Sequence, residues 1–213
     1  MSTRMLVLSL VASMVFGSAA LRAQEPKPAA PQLDPAALEK MMEEYGRVTA
    51  NHEGFKRLVG KWNTEMTCYM PDSPTTPTKG EATFRLLLGG RFVQQSFQGE
   101  LEGKRFQGLG ICGYDNAQKK YVSIWIDNMG TGIMQSSGTL DEKTHVMTEM
   151  GESILPSGPM KMKMVTRPVD DNKFLFTMYT LTDAGEQKMM EITYTRAAGA
   201  PGATTAEPKA GDK

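Results

Sequence analysis

The segment Trp125-Ile126-Asp127 places an aromatic ring and a carboxylate two residues apart in a stretch with the composition of a β-strand. Side chains two residues apart in a strand point to the same face of the sheet, so Trp125 and Asp127 share one environment. On an interior face the carboxylate needs a partner or a ligand, because an unpaired buried charge is costly, and Arg91 is the candidate partner. Alternatively, Asp127 caps the turn that follows at residues 128–130, as Asp commonly does.

Methionine is abundant, with 17 residues in the chain. Met160, Met162 and Met164 alternate with lysines, which predicts a strand with thioethers facing in and ammonium groups facing out. Such a row of thioethers could bind Cu(I), a soft ion. The alternative is that flexible, polarizable Met side chains pack an irregular interior.

Three glycines, at positions 108, 110 and 113, match the spacing of the dinucleotide-binding fingerprint. That motif functions only where a strand turns into a helix, whereas here Tyr114-Asp115-Asn116 predicts a turn and another strand follows. We therefore expect these glycines to bend a strand or leave interior space.

Catalytic and metal-binding signatures are missing from the sequence. It contains two histidines, His52 and His145, and lacks the Gly-x-Ser-x-Gly, His-Glu-x-x-His and Cys-x-x-Cys motifs. We therefore predict no catalytic residues, no cofactor and no metal site. Two alternatives stay open: haem held through His145, and an enzyme in which Asp127 and Glu191 converge on one cavity wall.

The net charge bears on partners, and the first residues of the chain predict export. The 24 basic and 24 acidic residues balance, so nothing in the charge predicts binding to nucleic acid. Arg4, the apolar stretch Met5–Phe16 and the small residues after it predict a signal peptide over residues 1–23, too short in its apolar part to span a bilayer. Cleavage after Ala20 is an alternative to cleavage after Ala23. The expected location is periplasmic or secreted.

Composition divides the remainder of the chain. Residues 24–50 form a Pro- and Ala-rich linker with a short helix that begins at Asp34-Pro35, and a second short helix runs from about 51 to 59. Residues 197–213 lack large apolar side chains and are predicted to be a disordered tail. Cys68 and Cys112 fall in strands that are not neighbours, which favours two thiols over a disulfide.

Between residues 61 and 196, short apolar runs alternate with turn signals. Nine such breaks predict ten strands, and the connections are short enough for hairpins, so the sheet should be an up-and-down meander. Closing the meander into a barrel removes its exposed edges. The predicted fold is all-β: a closed antiparallel barrel of about ten strands, preceded by one or two short helices, over residues 51–196.

Several motifs then suggest a family. Gly60-Lys61-Trp62 is similar to the Gly-x-Trp signature of lipocalins and other calycins, and in that resemblance a basic residue of the last strand, here Arg196, packs over Trp62. The chain further resembles a bacterial family known as domain of unknown function 1579, which is grouped with the calycins. The matching stretches are 58–62, 89–92, 108–116, 125–132 and 190–194. The resemblance implies a barrel and brings no known activity.

The main functional hypothesis is a barrel that binds a small, mostly apolar molecule in its interior. The alternative is a structural or interaction protein whose barrel is filled by side chains. The oligomeric state is left open by the sequence. The candidate ligand-binding residues are Trp125, Asp127, Tyr114, Arg91, Met162, Met164, Tyr179 and Glu191, and Trp62 and Arg196 are candidate structural residues.

Overall fold

The computed structural model describes residues 34–69, 76–101 and 103–199. The first elements are helix α1 (Pro35–Gly46), helix α2 (Ala50–Glu53) and a 3-10 helix (Gly54–Arg57). Ten strands follow: β1 (Gly60–Cys68), β2 (Thr78–Leu87), β3 (Phe92–Leu101), β4 (Lys104–Asp115), β5 (Lys120–Asp127), β6 (Met134–Leu140), β7 (Met147–Leu155), β8 (Gly158–Asp170), β9 (Lys173–Thr182) and β10 (Gly185–Arg196). The predicted signal peptide and the predicted tail beyond residue 199 lie outside the described residues.

The strands form one closed barrel in which each pairs with its neighbours in sequence and β1 pairs with β10. Every pairing is antiparallel, and Trp62 lies opposite Arg196 where the barrel closes. The connections between strands fall at the nine predicted turns. The prediction of a closed ten-stranded meander is therefore confirmed, and closure pairs both edges of the sheet.

The barrel core is aromatic on the strands that close it. Trp62, Phe84, Phe174 and Tyr194 are buried and in ring contact, with Phe174 and Tyr194 stacked at 4.3 Å between centroids. The Trp62 indole N–H donates to the carbonyl of Leu58 at 2.7 Å. These contacts fix the direction of the interior, because residues alternate between the two faces of each strand.

The short helices cover one end of the barrel, which we call the helix end; the opposite end is the far end. His52 and Phe55 are buried there, and their rings lie 5.8 Å from Tyr114 and 5.9 Å from Tyr121. His52 Nδ1 accepts from the backbone N–H of Thr49 at 3.0 Å, and burial lowers the pKa of the imidazole. This histidine is thus part of the packing that closes the helix end.

Helix α1 starts at Pro35 and stops at Gly46, close to the prediction, but the Asp34 side chain does not cap it. No residue of α1 is buried, and polar contacts attach it to the barrel. The Asn116 side-chain amide donates to the carbonyls of Tyr45 and Arg47, each at 2.8 Å. The second predicted helix is shorter than expected, because α2 gives way to a 3-10 helix.

Two further expectations concern the cysteines and the membrane. Cys68 lies on β1 and Cys112 on β4, and neither forms a disulfide, as predicted. Within the described ranges, no helix has the length and apolar character needed to cross a membrane.

Candidate functional site

The inward face of β4 to β7 differs from the packed core. Inward-facing residues of β1, β2 and β10 such as Trp62, Phe84 and Ile192 are buried. In contrast, most inward-facing residues of β4 to β7 are only partly buried, although the apolar ones among them pack against the core; they include Phe106, Tyr114, Ser123, Trp125, Met147 and Glu149. We call this half-buried inner surface the lumen wall.

Within the lumen wall, the Trp125 ring lies against the backbone of β4. A Cβ added to Gly108 would collide with its ring carbon Cζ2, and a Cβ on Gly110 would lie 3.1 Å from its Cε3. The two glycines therefore let the indole approach the backbone of β4, which explains the glycine pattern in this strand. Trp125 is only half-buried, so part of the residue retains accessible surface.

Asp127 holds the indole in place. Its Oδ2 accepts the Trp125 indole N–H at 2.9 Å, while its Oδ1 accepts the backbone N–H of Met129 at 2.9 Å. The carboxylate thus caps the turn and also faces the interior, so both interpretations of Asp127 apply. The predicted pairing with Arg91 is wrong, because Arg91 lies at the helix end and donates to the carbonyls of Leu88 and Gly46.

A second inward carboxylate was not predicted. Glu149 on β7 accepts two hydrogen bonds at Oε1, from Ser123 Oγ at 2.7 Å and from Ser136 Oγ at 3.2 Å. These serines are direct neighbours across β5 and β6. No described residue donates to Oε2 of Glu149 or forms an ion pair with this side chain.

Cys112 completes this polar cluster. It lies opposite Ser123 across β4 and β5. Burial, together with the nearby negative charge of Glu149, raises the pKa of the Cys112 thiol to about 12. The thiol is therefore protonated and unreactive at neutral pH, which agrees with a lining role and not a nucleophilic one.

The remaining predicted residues divide between the two faces. Met162 and Met164 point inward and are buried, and Tyr114 points inward at the helix end. Tyr179 and Glu191 face outward, contrary to the hypothesis that they line the interior: the amine of Lys163 lies 5.8 Å above the Tyr179 ring, and Lys188 binds Glu191 at 2.8 Å. Asp127 and Glu191 therefore do not meet.

Other hypotheses concerned metals and haem. Among residues 34–69, 76–101 and 103–199, no three His, Cys, Asp or Glu side chains are grouped so as to hold a metal ion. His145 occupies the turn between β6 and β7, outside the barrel, with a positive φ of 55°. The binding of copper by the Met row stays a prediction.

The inward orientation of Glu149 could have been predicted from the sequence. Residues 156 and 157 form a two-residue turn between β7 and β8, which pairs Leu155 with Gly158 and therefore Glu149 with Met164. Since the alternation with lysine places Met164 inside, its partner must also face inward. An outward-facing, exposed Met150 obscured the alternation on β7.

The outer face of the same wall carries an apolar groove of about 680 Å³, open to solvent, whose lining includes Ile111, Val122, Ile124 and Met150. The side chains of Ile124 and Met150 are exposed. Most of its lining residues point outward, and the inward-facing Ser123 and Ser136 also contribute to the lining.

The model of the family described as Protein of unknown function (DUF1579) matches residues 47–196. Rv2717c from M. tuberculosis has a similar structure, with a TM-score of 0.53 and 12% identity over 71% of this chain and 99% of that chain. The S-type phycobiliprotein lyase CPES from Guillardia theta has a TM-score of 0.50 and 10% identity over 75% of this chain and 97% of its own. No curated protein matches the chain significantly.

Proposed function

Because the chain belongs to the DUF1579 family, whose description assigns no activity, we propose a function from the barrel itself: it binds a small, mostly apolar molecule against the lumen wall. The molecule enters from the far end, since the helices close the other. Its apolar part lies against Trp125, Phe106 and neighbouring Met side chains.

The observation that carries this proposal is the accessible surface on the inward face of β4 to β7. Side chains that point into a filled barrel lose their surface to neighbours, as Trp62 and Phe84 have done. Trp125, Phe106 and Met147 point inward and pack against the core, but each retains part of its accessible surface. An apolar wall with a few placed polar groups is the usual composition of a small-molecule site.

The structural relatives support this proposal at the level of the fold alone. A phycobiliprotein lyase and Rv2717c share the barrel at identities of 10% and 12%. Such barrels host many unrelated functions, so the proposal depends on the lumen wall of this chain.

Binding of N-phenyl-1-naphthylamine, an apolar fluorophore, tests the proposal. Ser153 points inward on β7 near the far end, so Ser153→Trp places an indole in the path of a ligand. We expect Ser153→Trp to weaken binding about tenfold or more through steric exclusion. The matched control, Glu152→Trp, adds the same ring to the exposed outer face of the strand and should bind as the wild type does.

A filled barrel with a structural or interaction role is the competing function, and the tight packing of Trp62, Phe84, Phe174 and Tyr194 favours it. The fluorophore-binding experiment distinguishes the two functions. If the fluorophore does not bind, or binds equally to Ser153→Trp and to wild type, the interior is not a ligand site.

We also propose that the protein is exported, on the basis of Arg4, the apolar stretch Met5–Phe16 and the small residues after it. Intact-mass measurement of the protein recovered from the periplasm or medium tests this. A mature N-terminus at Leu21 or Gln24 agrees with export, whereas a full-length chain retained in the cytoplasm contradicts it.

A further inference from the structure

The lumen wall carries an acceptor with no donor. Ser123 and Ser136 both donate to Oε1 of Glu149, which fixes the carboxylate on the wall and leaves Oε2 with no donor among the described residues. Oε2 is not sealed in the interior, since Thr64 Oγ1 is the one buried side-chain atom without a partner in the described part of the chain. A half-buried carboxylate held in this way is poised to accept a hydrogen bond from a bound molecule.

The charges that face the interior favour a positively charged ligand at this acceptor. By register, Asp127 and Glu149 are the inward acids of the lumen wall. The inward basic residues of the described strands are Arg196, stacked on Trp62 at the helix end, and Lys104, which is exposed at the rim of the far end. The interior between Arg196 at one end and Lys104 at the other is therefore negatively charged and suits a cation.

Trp125 adds a second element beside the carboxylate. It lies two residues along β5 from Ser123, which donates to Glu149, so the ring and the carboxylate line adjoining parts of one face. Asp127 accepts the indole N–H at 2.9 Å while one side of the ring lies against β4, so the accessible part of this half-buried residue is held in a fixed position. The face of an indole attracts cations as well as apolar groups.

We propose that the molecule bound in the lumen is an apolar amine, whose ammonium or other N–H group donates to Glu149 Oε2 while its apolar part packs on Trp125. This inference rests on the proposed function and narrows it to a class of ligand. An apolar acid is disfavoured in the same lumen, because its carboxylate would be placed near those of Glu149 and Asp127.

Three probes of equal chain length test the inference: decylamine, 1-decanol and decanoate, titrated at pH 7 and followed by calorimetry and by Trp fluorescence. We expect decylamine to bind about tenfold or more tightly than decanoate, which corresponds to about 1.4 kcal/mol. Glu149→Gln keeps the size of the side chain and removes its charge, so it should abolish the preference for decylamine over decanoate. Glu152→Gln removes one charge from the exposed outer face of the same strand and should preserve the preference.

The outcomes separate the two proposals. If none of the three probes binds, the lumen is not a ligand site and both proposals fall. If decanol and decanoate bind the wild type as tightly as decylamine, the amine inference is overturned and the apolar site stands. If a folded Glu149→Gln variant retains the preference for decylamine, the amine inference is also overturned. If that variant does not fold, the comparison of the three probes on the wild type decides the amine inference.

Discussion

The guanidinium carbon of Arg196 lies 4.2 Å from the centroid of the Trp62 ring, where the last strand of the barrel returns to the first. The same guanidinium donates to the carbonyls of Val59 at 2.9 Å and Arg57 at 2.7 Å. One side chain therefore joins the closure of the barrel to the segment that covers the helix end. This contact was expected from the resemblance to calycins and is confirmed.

Arg196→Met should destabilise the protein by about 2–4 kcal/mol, since it removes a cation–π contact and the four hydrogen bonds that the guanidinium donates, while keeping an aliphatic stem. Denaturant unfolding measures the change. Arg167→Met removes a charge from the exposed outer face of β8 and should cost less than about 0.5 kcal/mol. Equal effects of the two substitutions would contradict a structural role for Arg196.

Gly108→Ala should displace Trp125, because the added Cβ would collide with the indole ring. We expect a loss of about 1–3 kcal/mol and a change in Trp fluorescence. In a Trp125→Leu background the same substitution should cost much less, because the clash is gone. Gly132→Ala serves as the control, since nothing lies within 4 Å of its added Cβ. A cost at Gly108 independent of Trp125 would refute the contact.

Local chemistry predicted the strands well. Turns such as Gly89-Gly90 and Asp115-Asn116 are set by residues within a few positions of each other, and alternation orients a strand such as β8 without reference to the remainder of the fold. Met162 and Met164 therefore face the interior as predicted.

Contacts between distant strands required information that local patterns do not hold. Successive turns of a meander alternate between the two ends of a barrel, so Arg91, in the second turn, and Asp127, before the fifth, lie at opposite ends. Counting turns would have excluded that pair. Glu191 lies an odd number of positions before Arg196, which packs over Trp62, so alternation along β10 would have placed Glu191 on the outer face.

The Cys112 thiol should resist alkylation in the folded protein. With its pKa raised from 9.0 to about 12, its thiolate fraction at pH 8 is about one in 10⁴. In a Cys68→Ser background, we expect iodoacetamide at pH 8 to react at least about a hundredfold more slowly than with the unfolded chain. Glu149→Gln should speed the reaction, because it removes a charge that raises this pKa.

The raised pKa of the same thiol predicts a loss of stability at alkaline pH. Because folding raises the pKa of Cys112, its contribution is complete below pH 9 and is lost as the pH rises toward about 12. The free energy of unfolding should therefore fall over this range, and less so in Cys112→Ala. Equal pH profiles for wild type and Cys112→Ala, or rapid alkylation of the folded protein, would show that folding does not raise the pKa of this thiol.

Asn116 should determine whether α1 stays attached to the barrel. Its side-chain amide is buried and donates to the carbonyls of Tyr45 and Arg47, and α1 buries no apolar side chain of its own. Asn116→Ala therefore leaves the end of α1 without its main anchor, at a cost of about 1–3 kcal/mol. Hydrogen exchange should increase over residues 35–47 while the strands stay protected. Asn63→Ala, on the exposed face of β1, is the control, and unchanged exchange in α1 of the Asn116 variant would mean that other contacts hold the helix.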